Sequence, residues 1–341
     1  MNKFNSSEIS LSNQNTAVSE TTAQEGDRSI VRYSLFVLFG IFYVIVSILR
    51  PGFLSQGNFY DILVETSLIS FVAFGQAMVI AAGGLDLSVG NMAGAAAMLT
   101  CNFLSNVGYS LFPSLMIGMS VGGIIGVFNG FMVARLHMNS LIATLGTMFV
   151  LYGFLYGLTG GVTIHIVPEN FSYLGNGTIL SVPIPIYIMI VVFIFAYLFM
   201  EKTSYGRNIR MIGGNIEACR LSGVSIKNLT FMTFVLCGFL ATFSGILLAA
   251  RQSLANVDMG ERFLIQAFVS AMLGTVIFNG KHVIAGTLLG TVFLVSVING
   301  LTLLGAGPQW LYIAQGLLLL VAILANHYTK TLILKLPRQK S

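Results

Sequence analysis

At 341 residues the chain is long enough for two or three soluble domains, yet 55% of it is hydrophobic and 9% is charged, with a mean hydropathy of +0.85. A water-facing surface needs about a quarter of its residues charged, so this balance excludes a soluble fold and implies an all-α integral membrane protein bathed in the lipid bilayer. The formal net charge of +5 reports orientation in a membrane, and a nucleic-acid partner is not expected.

The first 29 residues are polar, rich in Ser, Thr, Asn and Gln, and lack the apolar core of a signal peptide. Residues 1–29 are therefore expected to be a disordered cytoplasmic tail. Beyond them the sparse charges punctuate the chain. Seventeen uncharged residues separate Arg32 from Arg50, and twenty separate Glu65 from Asp86, each about one crossing of roughly 20 residues. Leu87 to Ala134 is an uncharged run of 48 residues with a turn signal from Asn106 to Pro113, so it supplies two spans. One span each is expected in Leu136 to Pro168, Asn170 to Met200, Asn228 to Ala250 and Phe263 to Gly280. The 48-residue run from His282 to Thr329, broken at Gly305-Ala-Gly-Pro308, adds two more. The expectation is about ten transmembrane helices in residues 30–329, with a basic cytoplasmic tail over 330–341.

An even number of spans puts both termini on one side. Placing them in the cytoplasm leaves fourteen lysines and arginines inside and only Arg50, Arg251 and Arg262 outside, as the positive-inside rule requires. Shifting the chain by 170 residues aligns Gly75 with Gly245, Gly90 with Gly260, Asn129-Gly130 with Asn299-Gly300 and Gly146 with Gly316. Such matches five spans apart suggest an inverted five-helix repeat.

Catalytic groupings are not visible. The four histidines and three cysteines are dispersed, so no metal site is expected. Gly274 to His282 imitates a phosphate-binding loop, but one residue too many separates its glycines and His282 stands where a hydroxyl must hold magnesium. No cofactor is expected on this chain, and any energy from ATP and magnesium must enter through a partner. Polar residues in the spans, Gln76, Asn91, Asn102, Asn129, Thr144 and Thr147, suit either a hydroxyl-rich solute or helix-to-helix hydrogen bonding.

Two segments carry information. In Gly83-Gly84-Leu85-Asp86-Leu87-Ser88-Val89-Gly90 glycines break a helix just before a carboxylate and a hydroxyl, as in an N-cap for the third span. Non-helical backbone at membrane depth is tolerated only inside protein or along a water-filled route. Asp86, like Glu65 at the outer entrance of the second span, could alternatively serve a secondary transporter or channel as an ion-coupling site. The other segment is the inner loop 201–228. After Gly213-Gly214, Asn215 can cap a short helix, Glu217 sits in its first turn, Arg220 near its end and Gly223 beyond it. Two turns of helix do not persist alone in water, so this element is expected to dock on a partner.

Together, the Gly83 to Gly90 run, Tyr205-Gly206-Arg207 through Gly213-Gly214-Asn215-Ile216-Glu217-Ala218 to Gly223, Leu236-Cys-Gly238 to Gly245-Ile246-Leu247, and Asn299-Gly300 with Gln315-Gly316 resemble the ribose-type permeases of bacterial ABC importers over roughly residues 33 to 328. The resemblance implies a multi-pass permease of the bacterial inner membrane, paired with a second permease subunit as a homo- or heterodimer. It also implies two cytoplasmic ABC ATPase subunits and a periplasmic solute-binding protein that delivers a monosaccharide or similar polar solute. By the same resemblance Arg207, Gly213, Gly214, Asn215, Glu217, Ala218, Arg220 and Gly223 belong to the coupling loop. Gly83, Gly84, Asp86, Ser88, Gly90 and Asn129 are assigned to the helix break or translocation path. The run Gly274-Thr-Val-Ile-Phe-Asn-Gly280-Lys281, preceded by Phe263-Leu264, departs from the family's glycine-paired pattern and its usual Glu-Leu.

Overall fold

The computed structural model describes residues 36–165, 168–278 and 280–334; the tail expected over 1–29 and most of that over 330–341 lie outside them. Helix α1 (Phe36–Leu49) leads through a 3-10 turn opened by Pro51 into α2 (Gln56–Ala81), whose first turn is capped by the Ser55 hydroxyl accepting from the Asn58 N–H. Then follow α3 (Val89–Ser105), α4 (Leu111–Ala134) and α5 (Ser140–Thr159). The Asn139 side chain caps α5, and Gly160 in the left-handed conformation ends it. The connection beyond is structured: β1 (Ile164–His165), α6 (Glu169–Asn176) and the hairpin β2 (Thr178–Ile179) to β3 (Val182–Pro183). After α7 (Ile184–Tyr197) and a π-helical turn, the inner loop folds into α8 (Ser204–Gly214) and α9 (Ile216–Leu221). The chain closes with α10 (Ile226–Gln252), β4 (Leu254–Ala255), α11 (Glu261–Ile277), α12 (Val283–Leu303) and α13 (Pro308–Leu334). Helix α13 thus runs past the boundary at residue 330 where the sequence placed the tail.

Seven of the described helices are long and apolar enough to cross a membrane: α2, α4, α5, α7 with its π turn, α10, α12 and α13. Helix α1 is apolar but shorter, and α3 and α11, of 17 residues each, also occupy positions where the charge spacing predicts spans. Burial orders the bundle radially. The most apolar stretch of α2 is 89% buried and that of α13 only 11%, so α2 is the axis and α13 a peripheral helix. Around α2 lie α10, α11 and α12, and α10 in turn packs on α3 and α4.

Close approach explains the glycine content. A side chain on Gly238 of α10 would collide with the Gly122 carbonyl of α4, and one on Gly274 of α11 with the backbone of Gly286 on α12. In lipid such backbone-to-backbone contact replaces the hydrophobic driving force that packs helices in water. The phosphate-loop imitation from Gly274 is therefore a helix crossing.

On one face, β1 pairs antiparallel with β4, Ile164 opposite Ala255, and α6 lies on the end of α10. There the Asn176 Nδ2 group donates to the carbonyls of Ala250 and Arg251 at 3.1 Å. These bonds tie the loop after α5 to the loop after α10.

Candidate functional site

The two segments singled out in the sequence come together. Helix α2 stops at Ala81, Gly83 takes the left-handed conformation with φ of 84°, and residues 82–88 are non-helical before α3 begins at Val89. The first turns of α5 receive this backbone. The Leu85 N–H donates to the Ser140 Oγ at 3.1 Å and the Leu87 N–H to the Thr144 Oγ1 at 3.0 Å. Two amides of the break that no helix satisfies thereby find partners.

Asp86 and Ser88 are fully buried. Both the backbone N–H and the hydroxyl of Ser88 donate to the Asp86 Oδ1, at 2.9 and 2.6 Å. Asn129 of α4 donates from Nδ2 to the Ser88 Oγ at 2.9 Å and more weakly to the Asp86 Oδ2 at 3.4 Å. The chain ends on α5, where the Thr147 hydroxyl donates to the Asn129 Oδ1 at 2.7 Å, with the Ala143 carbonyl at 3.0 Å as its other acceptor. The expected N-cap is corrected in detail: Ser88 stands at the cap position of α3 but makes no side-chain cap bond. Its hydroxyl is engaged by Asp86 and Asn129, so the carboxylate closes a tight turn on Ser88 and joins three helices. Gly84 packs against Val79 and Phe234, and Gly90 sits in the first turn of α3 against Gly260.

The inner loop has the form expected of it and more. Asn215 accepts from the Ala218 N–H at 3.0 Å, capping α9, and Glu217 pairs with Arg220 at 2.8 Å. Gly223 follows in the left-handed conformation at φ of 69°. Cys219 is buried, while Ile216 and Leu221 are exposed, Leu221 by 85%. A six-residue helix thus turns apolar side chains outward beside a charged pair. The segment before it, expected as loop and turn, is helix α8; Arg207 lies on its exposed side and Gly213 and Gly214 close it. Gly213 fits directly against the Ala81 carbonyl at the end of α2, where any side chain would collide, while Gly214 is open.

Sequence reasoning passed over the clamp that holds α8. Glu201, with only 4% of its side chain exposed, pairs with Arg210 at 3.3 Å and with His282 Nδ1 at 3.6 Å, and accepts from the Ile284 N–H at the start of α12. The nine-residue separation of Glu201 and Arg210 was the available signal, hidden because α8 was not foreseen. Glu65 lies within α2 and pairs with Arg262 of α11 at 2.9 Å.

Between the break and α9 lies a cavity of about 780 Å³, lined among others by Gly83, Ser140, Ile212, Glu217, Arg220 and Lys227. The helix break, the start of α5 and α9 therefore share one space on the positively charged face.

A bundle with seven helices long and apolar enough to cross a membrane, broken between α2 and α3 and carrying charged short helices on one face, fits a multi-pass membrane protein. Residues 58–323 match the family described as branched-chain amino acid transport system / permease component, and the chain belongs to that family, one of transport proteins. It is 31% identical to the ribose import permease protein of Haemophilus influenzae over 317 residues, covering 92% of this chain and 98% of the relative. Identity to the ribose import permease protein of Escherichia coli K12 is 33%, covering 84% and 91%. To the L-arabinose transport system permease protein of the same strain it is 32%, covering 87% and 90%. No solved structure gives a significant match.

Proposed function

We propose that the chain is the membrane subunit of a bacterial ABC importer that moves a monosaccharide or similar small polar solute across the inner membrane. Separate ATPase subunits drive it, and a periplasmic solute-binding protein loads it. The relatives named for ribose and arabinose import support the solute class. ATP and magnesium belong to the partner subunits, and a second permease subunit, identical or not, completes the assembly.

The observation that carries the coupling reading is the contact of Gly213 with the Ala81 carbonyl. Any displacement of α8 and α9 by a docked ATPase bears at once on the end of α2 and the break behind it. The break has its own linkage to α4 and α5 through Asp86, Ser88, Asn129 and Thr147. A partner can shift such a two-state element only through differential contacts, and α9 presents the side chains to make them.

Ten spans with both termini inside, arranged as an inverted repeat, suit the helix boundaries. The starts of α2 and α10 differ by 170 residues, of α3 and α11 by 172, of α4 and α12 by 172, and of α5 and α13 by 168. Helices α8 and α9 then stand as an insertion between α7 and α10, without counterpart between α1 and α2.

The test is ATP-driven uptake in proteoliposomes holding the permease, its ATPase and its binding protein. Deleting residues 213–223 should abolish uptake while the permease remains in the membrane, and unchanged uptake would remove the coupling reading. The second reading, an ion-coupled transporter using Asp86 or Glu65, is favoured only by the burial of Asp86. It requires uptake under an ion gradient without ATPase, lost in Asp86→Asn.

A further inference from the structure

A second cavity, of about 330 Å³, lies where two helices begin. Helices α3 and α11 are 17 residues each, about 25 Å at 1.5 Å per residue, shorter than the ~30 Å hydrocarbon core. The chain reaches them through non-helical returns, residues 82–88 from the inner end of α2 and residues 253–260 from the outer end of α10, interrupted only by the short strand β4. Their first turns meet: a Cβ on Gly90 would stand 2.7 Å from the Gly260 carbonyl oxygen. One short helix thus enters from each face, and their N-termini converge inside the bundle, on the interface between the two proposed repeats. Neither start has a side-chain cap.

An independent observation marks the spot as built for a ligand. The side-chain amides of Asn91 and Gln315 line the cavity, are only 8% and 7% exposed, and have no hydrogen bond among the described residues. Neither amide is among the fully enclosed unpaired polar atoms, so both open onto the cavity, and polar groups so placed are satisfied by whatever occupies it, water or a solute that supplies donors and acceptors.

We propose that this cavity is a transit site for an uncharged monosaccharide, held by the Asn91 and Gln315 amides between the rings of Tyr152 and Tyr312. The proposal rests on the permease reading and names the place where solute pauses. A primary amide offers a donor and an acceptor side by side, matching vicinal hydroxyls; Tyr152, packed on Tyr156 at 5.1 Å between ring centroids, and Tyr312, 66% exposed at the open side of the cavity, provide apolar faces for the C–H surface of a sugar ring. The volume lies at the lower end of the roughly 300–1,000 Å³ of small-molecule pockets. Charge sets the class further. Arg262 on the wall is engaged by Glu65 at 2.9 Å, whereas Glu261 lines the cavity without an ion pair among the described residues, a field that disfavours acidic solutes.

The test uses the whole complex of permease, ATPase and binding protein in proteoliposomes, with tritiated D-ribose, D-galactose and L-arabinose as probes. Asn91→Leu and Gln315→Leu should each lower the initial rate for the accepted sugar at least fivefold at equal permease content. A smaller reduction in both overturns the site and leaves the permease reading standing, whereas a wild-type complex that accumulates none of the three sugars removes the monosaccharide assignment and the site with it. Should the leucine variants fail to assemble, Tyr312→Cys decides. The three native cysteines are buried, so maleimide labelling reports on position 312; saturating sugar should slow it at least threefold, and unprotected labelling overturns the proposal.

Discussion

Asn129 is the residue on which the buried linkage turns. Its amide is fully buried and spends both ends, Nδ2 on Ser88 and Oδ1 on Thr147, so removing one neighbour leaves an orphaned polar atom rather than a solvated one. Thr147→Val keeps the volume and deletes the hydroxyl that satisfies the Asn129 Oδ1. The expected loss of stability is about 1–3 kcal/mol, read as a lower thermal unfolding midpoint in detergent; an unchanged midpoint would show that the Asn129 carbonyl has no need of Thr147. Little of this linkage is legible in the residues alone. The carboxylate and hydroxyl of the break announce themselves by lying two apart beside glycines, but Asn129 is 43 residues from Asp86, and an asparagine in an apolar span has the same spelling whether it lines a path or joins helices. By contrast Asn215, Glu217 and Arg220 were legible because capping and i,i+3 pairing are local.

Among the elements, α8 shows why local signals misled. Two consecutive glycines lower helix propensity by roughly 1 kcal/mol each relative to alanine, so Gly213-Gly214 suggests a turn. The helix persists through them because Gly213 must admit the Ala81 carbonyl and because Glu201 clamps Arg210 from outside the helix, and neither contact is local in sequence. Gly213→Val tests the coupling path while leaving the docking face of α9 intact. The valine forces α8 off the end of α2, so ATP hydrolysis by the assembled complex is expected to continue while solute uptake falls at least tenfold. Parallel loss of both activities at normal membrane content would place the defect in docking instead and deny α8 its role as the link. Uptake at the wild-type rate would show that the Gly213 contact carries no motion.

For the molecule as a whole, charge counting marked out the segments that fold as the seven long apolar helices, because a membrane imposes a length and a sign on each segment. The break before α3 and the return before α11 are less legible, since Asp86, Glu261 and Arg262 mark where these helices begin but not that Gly90 and Gly260 meet there. The proposed topology has a direct consequence at three exposed positions: Val107 between α3 and α4, Leu180 in the hairpin before α7, and Leu221 at the end of α9. With both termini inside, Val107 and Leu180 face the periplasm and Leu221 the cytoplasm, separated from Leu180 by the single crossing of α7. The buried native cysteines permit a cysteine at each position to serve as reporter without altering the background. In spheroplasts a membrane-impermeant maleimide should label Val107→Cys and Leu180→Cys at once, and Leu221→Cys only after the membrane is permeabilised. Labelling of Leu221→Cys from outside would invert the orientation and expose the docking helix to a compartment without ATP. Protection of Val107→Cys in intact spheroplasts would mean that α3 does not emerge, and with it the inverted repeat and the meeting of two helix starts inside the bilayer would fall.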